Sequence, residues 1–309
     1  MKNPVFENIS LGGKIILLLG LVIVFALTFS LLGLLLGKWY FGVDLSELAV
    51  MISDPKGDVL KFTLFFQFLS QVGVFIIPSL VFGLFVAQCP REYLKLNKKP
   101  NAVSLLIVTL SVYAILPFVN YLGELNHSIH LTPALDDWIR AKEAQATLLT
   151  EAFLKTDTIG GLIINLLIMA LIPALGEEML FRGIVQRLFA GLTRNIHLAI
   201  IITAFLFSAM HMQFLGFLPR FLLGLMLGYA FVITGSLWTA IWLHFVNNAS
   251  SVVVYYLHYN DYIKVSMDNF GGTQNTVYII GSLMMAIWLF IMMYNKEGGD
   301  VRMKYFDRG

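Results

Sequence analysis

Eight long apolar stretches dominate the sequence, and they constrain its fold more than any other feature. Residues 15–37 and 62–87, for example, contain no charged side chain. About 20 apolar residues in a helix cross the hydrocarbon core of a bilayer, so each of these two stretches is long enough to span it. The eight stretches cover approximately residues 15–37, 62–87, 102–123, 159–192, 197–214, 217–233, 236–257 and 276–294.

The composition agrees with a membrane protein. Hydrophobic residues make up 58% of the 309 residues and charged residues 13%, and the mean hydropathy is +0.78. These values exclude a water-soluble globular fold. We therefore predict an all-α, polytopic membrane protein with about eight transmembrane helices, forming a single membrane domain over residues 1–309.

Two other classes of function are disfavoured. The chain has one cysteine, Cys89, so it contains no internal disulfide and no Cys-x-x-Cys pair for zinc or redox chemistry. The formal net charge is only +2, which gives no reason to expect nucleic-acid binding. The expected partners are instead the lipid bilayer and a membrane-associated protein or peptide.

The distribution of basic residues predicts the orientation in the membrane. If all eight segments cross and the N-terminus is inside, the inner segments carry twelve Lys or Arg residues against five acidic ones. The outer segments then carry eight basic and twelve acidic residues. By the positive-inside rule, both termini are expected in the cytoplasm of a multi-pass cell-membrane protein.

The longest polar stretch, residues 124–157, combines acidic residues with an apolar face that includes Leu135, Trp138, Ile139 and Ala144. This pattern predicts an amphipathic helix lying in the outer membrane interface. A solvated linker helix explains the same pattern equally well.

Several ionisable residues fall within the apolar segments, where each costs at least about 2.5 kcal/mol on insertion scales, and five of them form a candidate group. Glu178 and Arg182 are four residues apart, so they share a helix face and predict an ion pair. Glu177 has no basic partner at such a spacing. The remaining two are His211 and His244.

Two further pairs at helical spacing, Phe207 with His211 and His244 with Asn248, complete a candidate site. Glu177 and His211 could deprotonate a water while His244 and Asn248 bind an oxyanion. Glu177, His211 and His244 could alternatively bind Zn²⁺. A proton-coupled transporter using Glu177 and His211 is a third interpretation.

These residues form three ordered motifs, and together they resemble the CPBP family of intramembrane proteases, which includes the type II CAAX prenyl endopeptidases. The motifs are Glu177-Glu178-x-x-x-Arg182, Phe207-x-x-x-His211 and His244-x-x-x-Asn248. The resemblance places the catalytic core in residues 159–257.

The resemblance implies roles for these residues. Glu177 and His211 would activate water, His244 and Asn248 would form the oxyanion hole, and Glu178, Arg182 and Phe207 would support them. Eight transmembrane helices also suit the CAAX endopeptidase type. Family members have been discussed both as metal-dependent and as metal-free enzymes. Because an amide suits an oxyanion donor better than a zinc ligand, we expect no cofactor, with zinc as the alternative. Some relatives act as immunity or scaffold proteins, which gives a non-catalytic alternative.

Overall fold

The computed structural model describes residues 4–42, 57–129 and 132–299, and within these ranges the chain forms helices and no strand. Lys2, Arg302, Lys304 and Arg308, which contributed to the predicted orientation, lie outside the described residues. The helices are α1 (Leu11–Phe41), α2 (Gly57–Val86), α3 (Ala102–Ala114), α4 (Leu116–His127), α5 (Pro133–Leu154), α6 (Ile159–Thr193), α7 (Ile196–Met210), α8 (Phe217–Thr234), α9 (Leu237–Tyr259) and α10 (Thr276–Lys296).

Each of the eight predicted apolar segments is helical, which confirms the all-α polytopic fold. The predicted number of eight crossings is not confirmed. Among the described residues, five helices are long and apolar enough to cross a membrane, or six if the bent pair α3 and α4 forms one span. Helix α7 has 15 residues and is about 22 Å long, shorter than the hydrocarbon core of about 30 Å. Helix α9 carries the polar third motif, so its residues are on average less apolar than those of the five candidate spanning helices.

Helix α6, which carries the first motif, is a continuous helical segment of 35 residues. At 1.5 Å per residue it is about 52 Å long, so it exceeds the thickness of the hydrocarbon core. A π-helical turn covers Leu166–Leu171, just before Pro173, and a second π turn covers Phe181–Val185. Such turns insert one extra residue into a helix and often occur at functional sites. Glu177 and Glu178 lie between them.

The basic loop of residues 91–99 packs against the chain where α8 meets α9. The indole nitrogen of Trp238 donates a hydrogen bond of 2.9 Å to the carbonyl oxygen of Leu96. The guanidinium carbon of Arg187, near the end of α6, lies 4.2 Å from the centre of the Tyr93 ring. Segments that were assigned to the cytoplasmic side therefore do assemble at one end of the bundle.

The amphipathic helix predicted within residues 124–157 is present as α5. It begins at Pro133, and residues 124–127 belong to the preceding helix, α4. Ile139 is buried, with 5% of its surface exposed, whereas Trp138 is 42% exposed. The ring of Trp138 lies 6.0 Å from that of Phe214, just before α8. One side of α5 thus packs on the bundle, and its position in the membrane interface stays a prediction.

Candidate active site

The buried carboxylate of Glu178 joins the first and third motifs. One oxygen, Oε1, accepts a hydrogen bond of 2.8 Å from Arg182 and lies 2.9 Å from Nδ1 of His244. Glu178 and Arg182 have fully buried side chains, so the predicted ion pair is present inside the protein. A carboxylate acceptor requires Nδ1 to carry the hydrogen, which fixes the orientation of the imidazole.

Close helix packing lets Arg182 reach the backbone of α8. Its second terminal nitrogen donates a hydrogen bond of 3.0 Å to the carbonyl oxygen of Gly224. A Cβ atom added to Gly224 would lie 2.9 Å from the Cα of Ala204 on α7. Glycine is therefore needed at this position, because any side chain would push α7 and α8 apart.

The ring of Phe207 lies at the centre of the three motifs. The Arg182 guanidinium carbon is 4.6 Å from the ring centre, a cation–π distance. The rings of His211 and His244 lie 5.1 and 5.7 Å from it, both in edge-to-face orientation. Phe207 thus separates the two histidines and holds each by an aromatic contact.

Glu177 lies on the other side of His244 from Glu178. Its Oε2 atom is 4.0 Å from Nε2 of His244, and only 6% of the residue is exposed. Its Oε1 atom accepts a long hydrogen bond of 3.5 Å from Gln71 on α2. Among the described residues, Oε2 is buried and has no hydrogen-bond partner. A buried carboxylate oxygen without a partner is costly, so this atom calls for a functional explanation.

The structure places the two remaining predicted residues beside this group. His211 directly follows α7, and its Nδ1 lies 2.8 Å from the carbonyl oxygen of Phe207. In the described part of the chain, His211 and Glu177 form no contact within 4.0 Å, so any cooperation between them needs a bridging molecule. Asn248 lies one turn after His244 and donates a long hydrogen bond of 3.4 Å to the carbonyl oxygen of Met169.

The alternative zinc set does not converge in this arrangement. Two ligands about 2.0–2.1 Å from a tetrahedral zinc ion lie about 3.4 Å apart, whereas the nearest atoms of Glu177 and His244 are 4.0 Å apart. In residues 4–42, 57–129 and 132–299, no group of three or more His, Cys, Asp or Glu residues could hold a metal ion. The residues as they lie do not fit a zinc centre.

Sequence analysis did not identify a site role for Gln71, which contacts Glu177, or for Asn126. Asn126 is buried, donates to the carbonyl oxygen of Phe214 and accepts from the backbone nitrogen of Leu218, both at 2.8 Å. It thereby anchors the segment that follows His211. The only signal for Gln71 is a polar residue in an apolar segment, which indicates an interhelical hydrogen bond more often than a site. Asn126 lies in the polar stretch 124–157, where an asparagine gives no such signal.

Comparison with known proteins supports the family resemblance of the three motifs. Residues 159–250 match the family model of the type II CAAX prenyl endopeptidases, described as Rce1-like. No curated protein and no solved structure matches the chain significantly. The matched segment contains all three motifs and the network around Glu178. Over residues 159–250 the chain is therefore similar to the Rce1-like type II CAAX prenyl endopeptidases, which confirms the resemblance of its motifs to CPBP proteases.

Proposed function

We propose that the protein is an intramembrane, glutamate-dependent endopeptidase that cleaves a peptide bond in a membrane-associated protein or peptide. The observation that carries this proposal is the buried Glu177 Oε2, which has no hydrogen-bond partner among the described residues and lies 4.0 Å from His244 Nε2. This distance is too long for a direct hydrogen bond. A water or a substrate carbonyl group can be bound between the two atoms.

The proposed reaction begins when Glu177 Oε2 takes a proton from a water. The oxygen of that water forms a bond to the scissile carbonyl carbon, and the carbonyl oxygen becomes an oxyanion. Nε2–H of a protonated His244 and the amide group of Asn248 then donate hydrogen bonds to the oxyanion. Collapse of the intermediate breaks the C–N bond, and Glu177 transfers the proton to the leaving nitrogen.

The hydrogen bonds of the two histidines suit these different roles. His211 directs Nδ1 at a carbonyl oxygen, which accepts only, so Nδ1 carries the hydrogen and neutral Nε2 accepts one. His211 can therefore orient the attacking water. His244 directs Nδ1 at the Glu178 carboxylate, which stabilises the protonated ring that donates from Nε2.

The proposal needs no metal, because a carboxylate base and hydrogen-bond donors supply the chemistry. The test is exhaustive chelation of the purified protein, followed by metal analysis and an activity assay. We expect full activity with less than stoichiometric metal. Activity that is lost on chelation and restored by Zn²⁺ would contradict the metal-free mechanism.

We further place the protein in the cell membrane with both termini in the cytoplasm. The support is the bias of basic residues and the assembly of the 91–99 loop, the start of α9 and the end of α6 at one end of the bundle. Fusions of a cytoplasm-active reporter to each terminus test this assignment. A reporter active at only one terminus would contradict it.

The test of the proposed function compares new N- and C-termini in membranes of cells that make wild-type protein or Glu177→Gln at equal levels. The substitution keeps the shape of the side chain and removes the base. We expect a set of fragments that is present only with wild type. The same fragments with both proteins would refute the role of Glu177.

A further inference from the structure

The structure contains a cavity of about 1010 Å³ between α4, α5, α8, α9 and residues 267–274. This volume is at the upper end of the range for ligand-binding sites. Many of its lining residues can form hydrogen bonds, as a peptide backbone requires. They include Asn120, Thr147, Asn247, Ser250, Ser251 and Gln274.

The cavity lies next to the candidate active site. Asn247 lines it, and its side-chain nitrogen donates a hydrogen bond of 3.1 Å to the side-chain oxygen of Asn248. Arg220 also lines it, and its guanidinium binds Gln213, two residues after His211. A ligand in the cavity would therefore contact neighbours of two proposed active-site residues.

Arg220 is the cationic feature of this cavity that the proposed reaction does not use. Its guanidinium donates to the backbone and side-chain oxygens of Gln213, at 2.7 and 2.9 Å. Both acceptors are neutral, and these bonds use two of the five N–H groups of arginine. The acidic residues of the lining, Glu124 and Glu143, form no ion pair with Arg220 within 4.0 Å. The charge of Glu143 acts on Arg220 from beyond ion-pair distance, and three N–H groups of the guanidinium have no acceptor among the described residues. These three donors can bind an anionic ligand.

The chain keeps space for this guanidinium. A Cβ atom added to Gly216 would lie 2.5 Å from one terminal nitrogen of Arg220 and 2.9 Å from its central carbon. The missing side chain at Gly216 therefore lets the guanidinium approach the backbone closely at this place. The planar fork of arginine matches the two oxygens of a carboxylate.

We propose that this cavity binds the substrate peptide and that Arg220 binds a carboxylate of that peptide. The carboxylate is either the C-terminus of the substrate or the side chain of an Asp or Glu residue near the cleavage site. The inference rests on the proposed function for the identity of the ligand as substrate. It adds a specificity-determining residue outside the three motifs.

The test measures binding and needs no cleavage. Purified Glu177→Gln protein in dodecylmaltoside is titrated into an eight-residue peptide of Ala, Val and Ser that carries fluorescein at its N-terminus. Three forms of the peptide are compared by fluorescence anisotropy: the C-terminal acid, the C-terminal amide, and the amide with one internal Glu. We expect the acid or the Glu form to bind about 10- to 100-fold more tightly than the plain amide.

Variants of Arg220 test whether its guanidinium causes the tighter binding of the carboxylate peptides. In Arg220→Gln the advantage of the carboxylate forms should vanish, and Arg220→Lys should keep part of it, since lysine retains the charge without the fork. Arg140→Gln, which removes an exposed arginine of α5, is the matched control and should bind as before. The form of the peptide that shows the advantage identifies the source of the carboxylate.

Equal affinity for the acid, Glu and amide forms, including no binding of any form, would overturn the inference. An unchanged advantage in Arg220→Gln would also overturn it. Because the comparison of peptides uses intact Arg220, a folding defect of the variant does not affect it. Fragments that depend on Glu177, without any carboxylate effect, would refute this inference and leave the proposed function standing. A carboxylate effect without such fragments would refute the proposed function and would leave Arg220 as a carboxylate-binding residue whose ligand is not a protease substrate.

Discussion

Replacing Arg182 by methionine should destabilise the protein strongly, because it leaves the Glu178 carboxylate buried without its cationic partner. Both side chains are fully buried and the ion pair is 2.8 Å long. Breaking a buried ion pair from one side costs about 3–5 kcal/mol. Arg182 also donates to the carbonyl oxygen of Gly224, a hydrogen bond worth about 1 kcal/mol. The expected loss in the free energy of unfolding is about 4–6 kcal/mol.

The assay is equilibrium unfolding in mixed dodecylmaltoside and SDS micelles, followed by tryptophan fluorescence. Arg140→Met is the matched control. It breaks a more exposed pair with Asp136 of similar length, 2.9 Å, and should cost less than about 1 kcal/mol. The double variant Glu178→Leu/Arg182→Met removes both buried charges and should be at least about 2 kcal/mol more stable than Arg182→Met alone. A loss below about 1 kcal/mol in Arg182→Met would refute the reasoning.

The remaining predictions concern helix packing at Gly224, the hydrogen bonds of Asn126 and the proposed oxyanion donor Asn248. Gly224→Ala should lower the free energy of unfolding by about 1–3 kcal/mol, because its Cβ would lie 2.9 Å from the Cα of Ala204. Gly281→Ala is the control: a Cβ added there has no neighbour within 4 Å, so the variant should be neutral or slightly stabilising. Asn126→Ala should cost about 1–2 kcal/mol in the same assay, since it leaves two partly buried backbone groups without partners. A neutral effect would contradict the anchoring role. Asn248→Ala should lower kcat about 100- to 1000-fold with unchanged unfolding, and a normal kcat would remove it from the oxyanion hole.

Local sequence patterns predicted the features that depend on one helix. The apolar segments correspond to helices, and the spacing of four residues between Glu178 and Arg182 gave the ion pair that the structure contains. The count of eight crossings is not confirmed. It assumed that each apolar segment spans the membrane, whereas α7 is too short and α9 too polar to meet the criteria of length and apolarity.

Contacts between helices could not be predicted in this way. His244 is 66 residues from Glu178, and Gln71 is 106 residues from Glu177. Their meeting depends on how α2, α6 and α9 pack together, which does not follow from a repeat of 3.6 residues.

The central claim is that this protein itself hydrolyses peptide bonds and that Glu177 is the base. The most direct measurement uses purified wild-type protein or Glu177→Gln, mixed with detergent-solubilised membrane proteins of the host, and labels newly formed N-termini over time. Purification removes the host proteases that could produce fragments in cells. We predict new N-termini with wild type and at least 100-fold fewer with Glu177→Gln, at equal stability of the two proteins. Equal numbers of new N-termini with both proteins, or none with wild type, would contradict the account.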